Sequence, residues 1–121
     1  MIETIAIDTN IIIRAFTGDE FCINTLNGKI AAVSIITEIE LLSWPQLSEF
    51  DYSILSSFLQ DCFIIGLSEE IKNEVIHLRK DFALKIPDAI IAATAINKSL
   101  PLFSSDDIFK RIPYLNFVHV I

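Results

Sequence analysis

The chain has 121 residues, of which 52% are hydrophobic, and it carries a formal net charge of −7 at pH 7. This length predicts a single domain over residues 1–121, with a core large enough to fold without disulfides or a structural zinc. The acidic balance argues against broad, nonspecific binding to nucleic acid, which depends on many Lys and Arg contacts with phosphate. Largely apolar runs such as residues 89–96 are much shorter than the roughly 18 residues of a membrane-spanning helix, so no membrane segment is expected.

The cysteines and the N-terminal segment bear on cellular location. Cys22 and Cys62 lack CxxC spacing and nearby histidines, so we expect small buried hydrophobic side chains rather than metal ligands or a disulfide. The first residues lack the basic start and long apolar stretch of a secretory signal. These features predict a cytoplasmic protein. The high apolar content of so small a domain also predicts a hydrophobic surface, which a homodimer would cover.

In the first half of the chain, short apolar runs alternate with helical patterns. The elements expected there, in order, are a strand over residues 4–7, helices over residues 10–16 and 20–27, and a strand over residues 29–33. Gly18 and Gly28 mark the ends of the two helices. A third helix is capped by Ser34 or Thr37 and must end by Trp44, because Pro45 follows.

The second half of the chain continues this alternation. The elements expected there are helices over residues 48–60, 68–82 and 88–97, and strands over residues 62–67, 101–105 and 116–121. The first of these helices is expected to bury Ile54, Leu55, Phe58 and Leu59, and the second to bury Ile71, Val75, Leu78 and Phe82. The third is apolar almost all round, which is typical of a helix buried on every side.

Strands that alternate with helices predict an α/β fold. We expect a three-layer α/β/α sandwich around a central, mostly parallel sheet of about five strands, joined by right-handed crossovers. Open sheets of this kind bind ligands at the carboxyl ends of their strands. Candidate functional residues are therefore sought where strands end.

Four acidic residues stand at or near such positions. Asp8 follows the first strand, Glu40 lies in the helix after the second, Asp88 stands at a helix start, and Asp106 follows the fourth strand. Carboxylates that converge on one sheet edge repel one another, and they either take up protons or hold a cation between them. Their oxygens are the ligands that hard divalent cations such as Mg2+ prefer. The pattern therefore predicts a divalent-metal site.

Each acid also has a plainer structural explanation. Asp8 and Asn10 are common helix-capping residues. Glu40 stands three residues after Thr37, which is the spacing of a capping box, and Asp88 would complement a helix dipole. Taken singly, these explanations are favoured; taken as a set at one sheet edge, the metal site is favoured.

Two of the assignments stay open on pattern alone. On a helical wheel, Glu38 lies nearer the apolar stripe of its helix than Glu40 does, so periodicity does not separate the two. Asp106 and Asp107 form a doublet, and either is compatible with a fourth ligand or with a turn. Arg14 is equally compatible with facing a phosphate near Asp8 and with facing solvent.

The motifs around these acids resemble the PIN domain. They are Ile-Ala-Ile-Asp-Thr-Asn over residues 5–10, Ser-Ile-Ile-Thr-Glu-Ile-Glu-Leu over 34–41, Pro-Asp-Ala-Ile-Ile-Ala-Ala-Thr-Ala over 87–95, and Leu-Phe-Ser-Ser-Asp-Asp-Ile-Phe over 102–109. Their order and spacing cover essentially the whole chain. The size and the short C-terminal strand resemble the VapC-type toxins of type II toxin–antitoxin pairs.

The resemblance implies an Mg2+- or Mn2+-dependent endoribonuclease. The catalytic acids that it implies are Asp8, Glu40, Asp88 and Asp106, with metal ligands Asp8, Asp88 and Asp106. By the same match, Glu40 is preferred to Glu38. The supporting residues that it implies are Thr9 and Asn10 beside the first acid, Ser104 beside the last, and Asp107 as the alternative member of the doublet.

The resemblance also implies partners. They are an RNA substrate, a second copy of the chain in a homodimer, and a cognate antitoxin that places a basic side chain among the acids. Two other interpretations remain open: a catalytically silent PIN-fold protein-interaction module, and a PIN nuclease outside toxin–antitoxin systems.

Overall fold

Five strands form one sheet in the computed structural model, which describes residues 2–121. The strands are β1 (Thr4–Ile7), β2 (Ile30–Ser34), β3 (Phe63–Ile65), β4 (Leu102–Ser104) and β5 (Phe117–His119). Their order across the sheet is β3-β2-β1-β4-β5, and each neighbouring pair is parallel. The predicted sheet of about five strands is therefore confirmed, and it is parallel throughout rather than mostly so.

Six α-helices and one 3-10 helix connect the strands within the described residues. The helices are α1 (Thr9–Phe16), α2 (Glu20–Leu26), α3 (Ile35–Leu42), α4 (Glu49–Gln60), α5 (Glu69–Phe82) and α6 (Ile86–Asn97), and the 3-10 helix spans Asp107–Arg111. Every α-helix expected from the sequence is present. The 3-10 helix was not expected, because a single short turn carries no periodic pattern.

Side-chain caps explain where several helices begin. The Ser34 hydroxyl accepts a hydrogen bond from the Ile36 amide at 3.2 Å, so Ser34 rather than Thr37 caps α3. The proposed capping box of Thr37 and Glu40 is therefore wrong, since the helix begins before Thr37. Gly18 and Gly28 follow α1 and α2 with positive φ angles of 97° and 76°, as expected for glycines that end helices.

Two hydrophobic clusters cover opposite faces of the sheet. One contains Ala6 of β1 together with buried residues of α5, α6 and the 3-10 helix, such as Leu78, Ala92 and Phe109. The other contains Ile5 and Ile7 of β1 together with buried residues of α1, α3 and α4. Because side chains alternate along a strand, β1 contributes to both clusters. The predicted three-layer α/β/α sandwich is confirmed.

The exposed surface departs from expectation at α4. Leu55 and Leu59 are buried as expected, but Ile54 is 38% exposed. The reason is that Ile54 borders a groove that the fold leaves open. Among the described helices, none combines the length and the apolar character needed to cross a bilayer.

Phe109 offers a test of how firmly the 3-10 helix is attached to the core. Its ring is fully buried and lies 6.0 Å from that of Phe117, centroid to centroid. We expect Phe109→Ala to lower the free energy of unfolding by about 3–5 kcal/mol, because it removes buried apolar surface and leaves a cavity. Urea denaturation in EDTA measures this change. Lys110→Ala, at an exposed neighbouring residue, should change the free energy of unfolding by no more than about 0.5 kcal/mol. Similar losses for both variants would contradict the conclusion that Phe109 attaches the 3-10 helix to the core.

Candidate metal centre

The centre of the sheet brings distant segments to one edge. Strand β1 lies between β2 and β4, so the chain runs outward on one side of β1 and later returns to its other side. Asp8 directly follows β1, and its amide donates a hydrogen bond to the Phe103 carbonyl of β4 at 3.0 Å. Such a reversal of strand order opens a crevice at the carboxyl ends of the central strands.

Asp8 is a buried carboxylate held by two donors. Asp8 is only 7% exposed to solvent. The Ser104 hydroxyl donates to Oδ2 at 2.7 Å, and the Thr9 amide donates to Oδ1 at 2.7 Å. The Asp106 amide in turn donates to the Ser104 hydroxyl at 3.0 Å. Ser104, itself fully buried, therefore ties Asp8 to the backbone that carries Asp106.

The charges of the acids influence one another. Burial, with smaller contributions from the charges of Asp88 and Asp106, raises the pKa of Asp8 to about 6 in spite of its two hydrogen bonds. Burial also raises the pKa of Asp88, with contributions from the charges of Asp106 and Glu40. The structure therefore brings Asp8, Asp88 and Asp106 into electrostatic reach of one another and Glu40 into reach of Asp88, and we call these four residues the acidic centre.

Glu40 is placed by helix α1 rather than by its own helix. The Thr9 hydroxyl donates to Glu40 Oε1 at 2.7 Å and lies 3.0 Å from the Thr37 hydroxyl. Among residues 2–121, no such hydrogen bond involves the side chain of Glu38. Sequence reasoning treated Thr37 only as a possible cap. The helical pattern gave no signal, because Thr37 lies on the side of α3 opposite Ile39; in the structure Thr37 and Leu41 are the buried residues of this helix, and Ile39 is exposed.

Asp106 and Asp107 differ in their surroundings. Asp107 Oδ1 lies 3.1 Å from Lys110 Nζ and 3.3 Å from His119 Nε2. Hydrogen bonding to Lys110 lowers the pKa of Asp107. Asp106 instead accepts a hydrogen bond from the Ile108 amide at 3.0 Å, which starts the 3-10 helix, and its charge contributes to the raised pKa of Asp8 and Asp88.

Two nearby polar side chains form no hydrogen bond with the four acids within the described residues. The Asn10 Oδ1 atom is buried and has no hydrogen-bond partner, and no hydrogen bond links its side chain to Asp8. Arg14 forms hydrogen bonds of 2.7 and 3.0 Å with Asp19 Oδ2 and one of 2.8 Å with the Ile121 carbonyl. Arg14 is therefore occupied by a carboxylate and a carbonyl rather than turned toward the acidic centre.

The donor set of the acidic centre fits a hard divalent cation. It consists of carboxylate oxygens, and burial together with repulsion between neighbouring acids raises the pKa of Asp8 and Asp88. The charge of Lys85 lowers the pKa of Asp88, but burial and the neighbouring acids outweigh it. Within residues 2–121, no three acidic, histidine or cysteine side chains stand close enough together to form a ready-made ion cage. Acids that repel one another without a counter-charge are expected to lie apart in this way.

The raised pKa of Asp8 predicts how the metal-free protein responds to pH. Between about 4 and 6 the folded state holds a proton that the unfolded state has lost, so stability falls as pH rises, by about 3 kcal/mol in total. Asp8→Asn should remove this loss and make the metal-free protein more stable at pH 7. Urea denaturation in EDTA from pH 4 to pH 8 measures the difference between the two proteins.

A matched variant has the opposite sign. The pKa of Asp107 is lowered in the folded state, so its carboxylate contributes stability that is lost as pH falls. The difference between wild type and Asp107→Asn should therefore grow as pH rises. If the difference in the free energy of unfolding between wild type and Asp8→Asn does not change with pH, burial does not raise the pKa of Asp8.

Comparisons with known proteins agree with this geometry. The chain matches the model of the PIN domain family over residues 5–114. A chain in a toxin-antitoxin complex from Klebsiella pneumoniae is 31% identical, with 94% of this chain and 95% of that chain covered and a TM-score of 0.84. A chain in the crystal structure of VapBC2 from Rickettsia felis, bound to a promoter DNA fragment, is 26% identical, with 98% and 99% covered and a TM-score of 0.82.

A third structure extends the likeness in fold. A chain of DNA-bound VapBC from Salmonella typhimurium is 20% identical, with 98% of each chain covered and a TM-score of 0.82. No curated protein matches the chain in a sequence search. The resemblance to VapC-type PIN proteins that the motifs indicated is confirmed by the family match and by these VapBC neighbours. The chain belongs to the PIN domain family.

Proposed function

We propose that this protein is an Mg2+- or Mn2+-dependent endoribonuclease of the cytoplasm and the toxin component of a toxin–antitoxin pair. The observation that carries the proposal is the acidic centre, in which a buried Asp8 of raised pKa lies within electrostatic reach of Asp88 and Asp106. This arrangement stands at the carboxyl end of a parallel sheet in a PIN domain. Carboxylates that are buried close together at such an edge, with repulsion stronger than the effect of a neighbouring lysine, favour cation binding over a purely structural role.

In this proposal the four acids have different roles. Asp8, Asp88 and Asp106 hold the cation through their oxygens, and Glu40 either contributes a further oxygen or orients the attacking water. When bound there, one or two such ions would activate that water, polarise the phosphodiester and offset the negative charge that an acidic protein presents to RNA. The reaction is an in-line hydrolysis that leaves a 5′-phosphate and a 3′-hydroxyl.

The surroundings of the doublet support Asp106 as the fourth acid. Asp107 is already paired with Lys110 and His119, so its charge is compensated. Asp106 is linked through Ser104 to Asp8 and contributes to the raised pKa of Asp88. A compensated carboxylate has less to gain from a cation than an uncompensated one.

An apolar groove supports a protein partner. It has a volume of about 330 Å³ and lies between α1, α3 and α4, and we call it the α1/α3/α4 groove. Its main apolar lining residues are Ile13, Phe16, Leu41, Trp44, Leu47 and Ile54. A groove of this kind accepts the apolar face of a helix. The complexes from Klebsiella and Rickettsia support an antitoxin as the occupant of this groove.

We also propose that the protein forms a homodimer, which would cover other exposed apolar side chains.

The nuclease proposal is tested with RNA and paired variants. The wild type should cut structured RNA in Mg2+ or Mn2+ and not in EDTA, and end mapping should find 5′-phosphates. Asp8→Asn and Asp106→Asn should lower the cleavage rate at least about 100-fold, because each removes a cation ligand, whereas Asp107→Asn should remain within about threefold of wild type. Millimolar Mn2+ should also raise the melting temperature of the wild type more than that of Asp8→Asn.

Other outcomes would assign the chain differently. Equal losses in Asp106→Asn and Asp107→Asn would overturn the choice between the two acids. No cleavage and no metal-dependent melting shift, with the fold intact, would favour a protein-interaction module. Cleavage of single-stranded DNA in preference to RNA would overturn the substrate class.

The antitoxin proposal is tested at Trp44. This side chain is the only tryptophan of the protein, lines the α1/α3/α4 groove and is 49% exposed. Binding of the proposed antitoxin should shift Trp44 fluorescence to shorter wavelength and inhibit RNA cleavage. Ile54→Asp places a charge in the groove and should weaken binding at least tenfold, whereas Ile2→Asp, at an exposed residue outside the groove lining, should not. Equal effects of the two substitutions would exclude the groove as the docking site.

A further inference from the structure

We infer that Thr37 is a positioning residue of the acidic centre, which acts through the hydroxyl of Thr9 on the carboxylate of Glu40. The inference rests on the proposed function, because it assigns Glu40 a place in the reaction. Thr37 is fully buried, and it is neither one of the four acids nor a direct hydrogen-bond donor to one of them. It also does not cap its helix, since Ser34 does.

The fold brings the three side chains together at one edge. Helices α1 and α3 begin directly after β1 and β2, which are parallel neighbours, so both helices start at the same edge of the sheet. Thr9 is the first residue of α1, and Thr37 and Glu40 lie one turn apart on α3. The Thr9 hydroxyl lies between them, 3.0 Å from that of Thr37 and 2.7 Å from Glu40 Oε1.

The direction of the hydrogen bonds follows from the number of protons. A hydroxyl has one proton to donate and two lone pairs to accept with, and an ionised carboxylate can only accept. At 2.7 Å from Glu40, the Thr9 proton must therefore point at the carboxylate. The proton between Thr9 and Thr37 must then come from Thr37. The result is a directed chain from Thr37 through Thr9 to Glu40, in which each hydroxyl polarises the next.

A purely structural threonine on a helix makes a different contact. The buried Thr94 hydroxyl on α6 donates to the Ile90 carbonyl of its own helix at 2.7 Å, and Thr17 and Thr25 also bond to carbonyls four residues earlier. Thr37 makes no bond of this kind; its one partner lies 28 residues away in the sequence. Its hydroxyl therefore serves another element rather than its own helix.

The chain of hydroxyls has a task that Glu40 cannot perform alone. Glu40 is exposed, and a free glutamate side chain samples several rotamers, which costs free energy when one of them must be selected. Thr9 holds the carboxylate, and its amide also donates to Asp8. By accepting from Thr37, the Thr9 hydroxyl is kept from rotating away from Glu40. Thr37 thereby fixes the distance between Glu40 and the rest of the acidic centre.

The first test compares three single variants in the RNA cleavage assay. Thr37→Val keeps the shape of the side chain and removes its hydroxyl, and it should lower kcat about 3- to 10-fold with KM for RNA unchanged. Thr37→Ser restores the hydroxyl and should restore kcat to within about twofold of wild type. Thr94→Val removes a buried hydroxyl that is not linked to the acids and should leave kcat unchanged. A loss in Thr94→Val equal to that in Thr37→Val would overturn the inference.

The second test asks whether Thr37 acts through Thr9. Thr9→Val breaks the chain at its middle, so adding Thr37→Val to it should cause no further fall in kcat. If the two losses multiply, the two residues act independently and the inference is wrong.

The third test does not depend on cleavage. In the metal-free protein, NMR side-chain couplings of Glu40 should report one rotamer in the wild type and in Thr37→Ser, and averaged rotamers in Thr37→Val and Thr9→Val. Unchanged couplings in Thr37→Val would overturn the inference even if RNA is cut. A wild type that does not cut RNA but shows the predicted couplings would overturn the nuclease and leave the positioning of Glu40 by Thr37 standing.

Discussion

The hydrogen bond from the Ser104 hydroxyl to Asp8 holds the two halves of the acidic centre together. It joins the end of β1 to the end of β4 inside the core, where neither side chain contacts water freely. A buried carboxylate without such a donor would be protonated or would turn outward. With the donor in place, Asp8 keeps its position although burial raises its pKa to about 6. The same hydroxyl accepts from the Asp106 amide, so one small side chain sets the positions of two acids.

Three basic side chains of the protein have partners away from this centre. Arg14 is paired with Asp19, and Lys110 with Asp107. Arg111 donates to the Phe82 and Ala83 carbonyls, at the end of α5. Such pairs at the surface contribute little to stability, but each of these three cations has partners outside the acidic centre. Lys85 does lower the pKa of Asp88, but burial and the neighbouring acids outweigh its effect.

The sequence was sufficient to predict every strand and α-helix, because each strand is a short apolar run and several helices carry clear caps such as Ser48 and Ser68. It could not separate Glu38 from Glu40, since α3 is short and apolar on most sides and its periodicity gives little contrast. The position of Glu40 depends on a contact with a residue 31 positions away. The error at Ile54 has a similar origin, because a groove between three helices is a property of their packing and not of one helix.

The central place of β1 has a consequence for when each site of the protein can form during synthesis. Asp8 is synthesised early, but its partner Ser104 lies 96 residues later, so the acidic centre closes only over a large loop of chain. The α1/α3/α4 groove is lined entirely by residues between 13 and 55. On the ribosome, the complete set of groove residues therefore emerges well before Asp106 does. A protein that recognises this groove therefore finds all of the groove residues on a chain that still lacks Asp88 and Asp106.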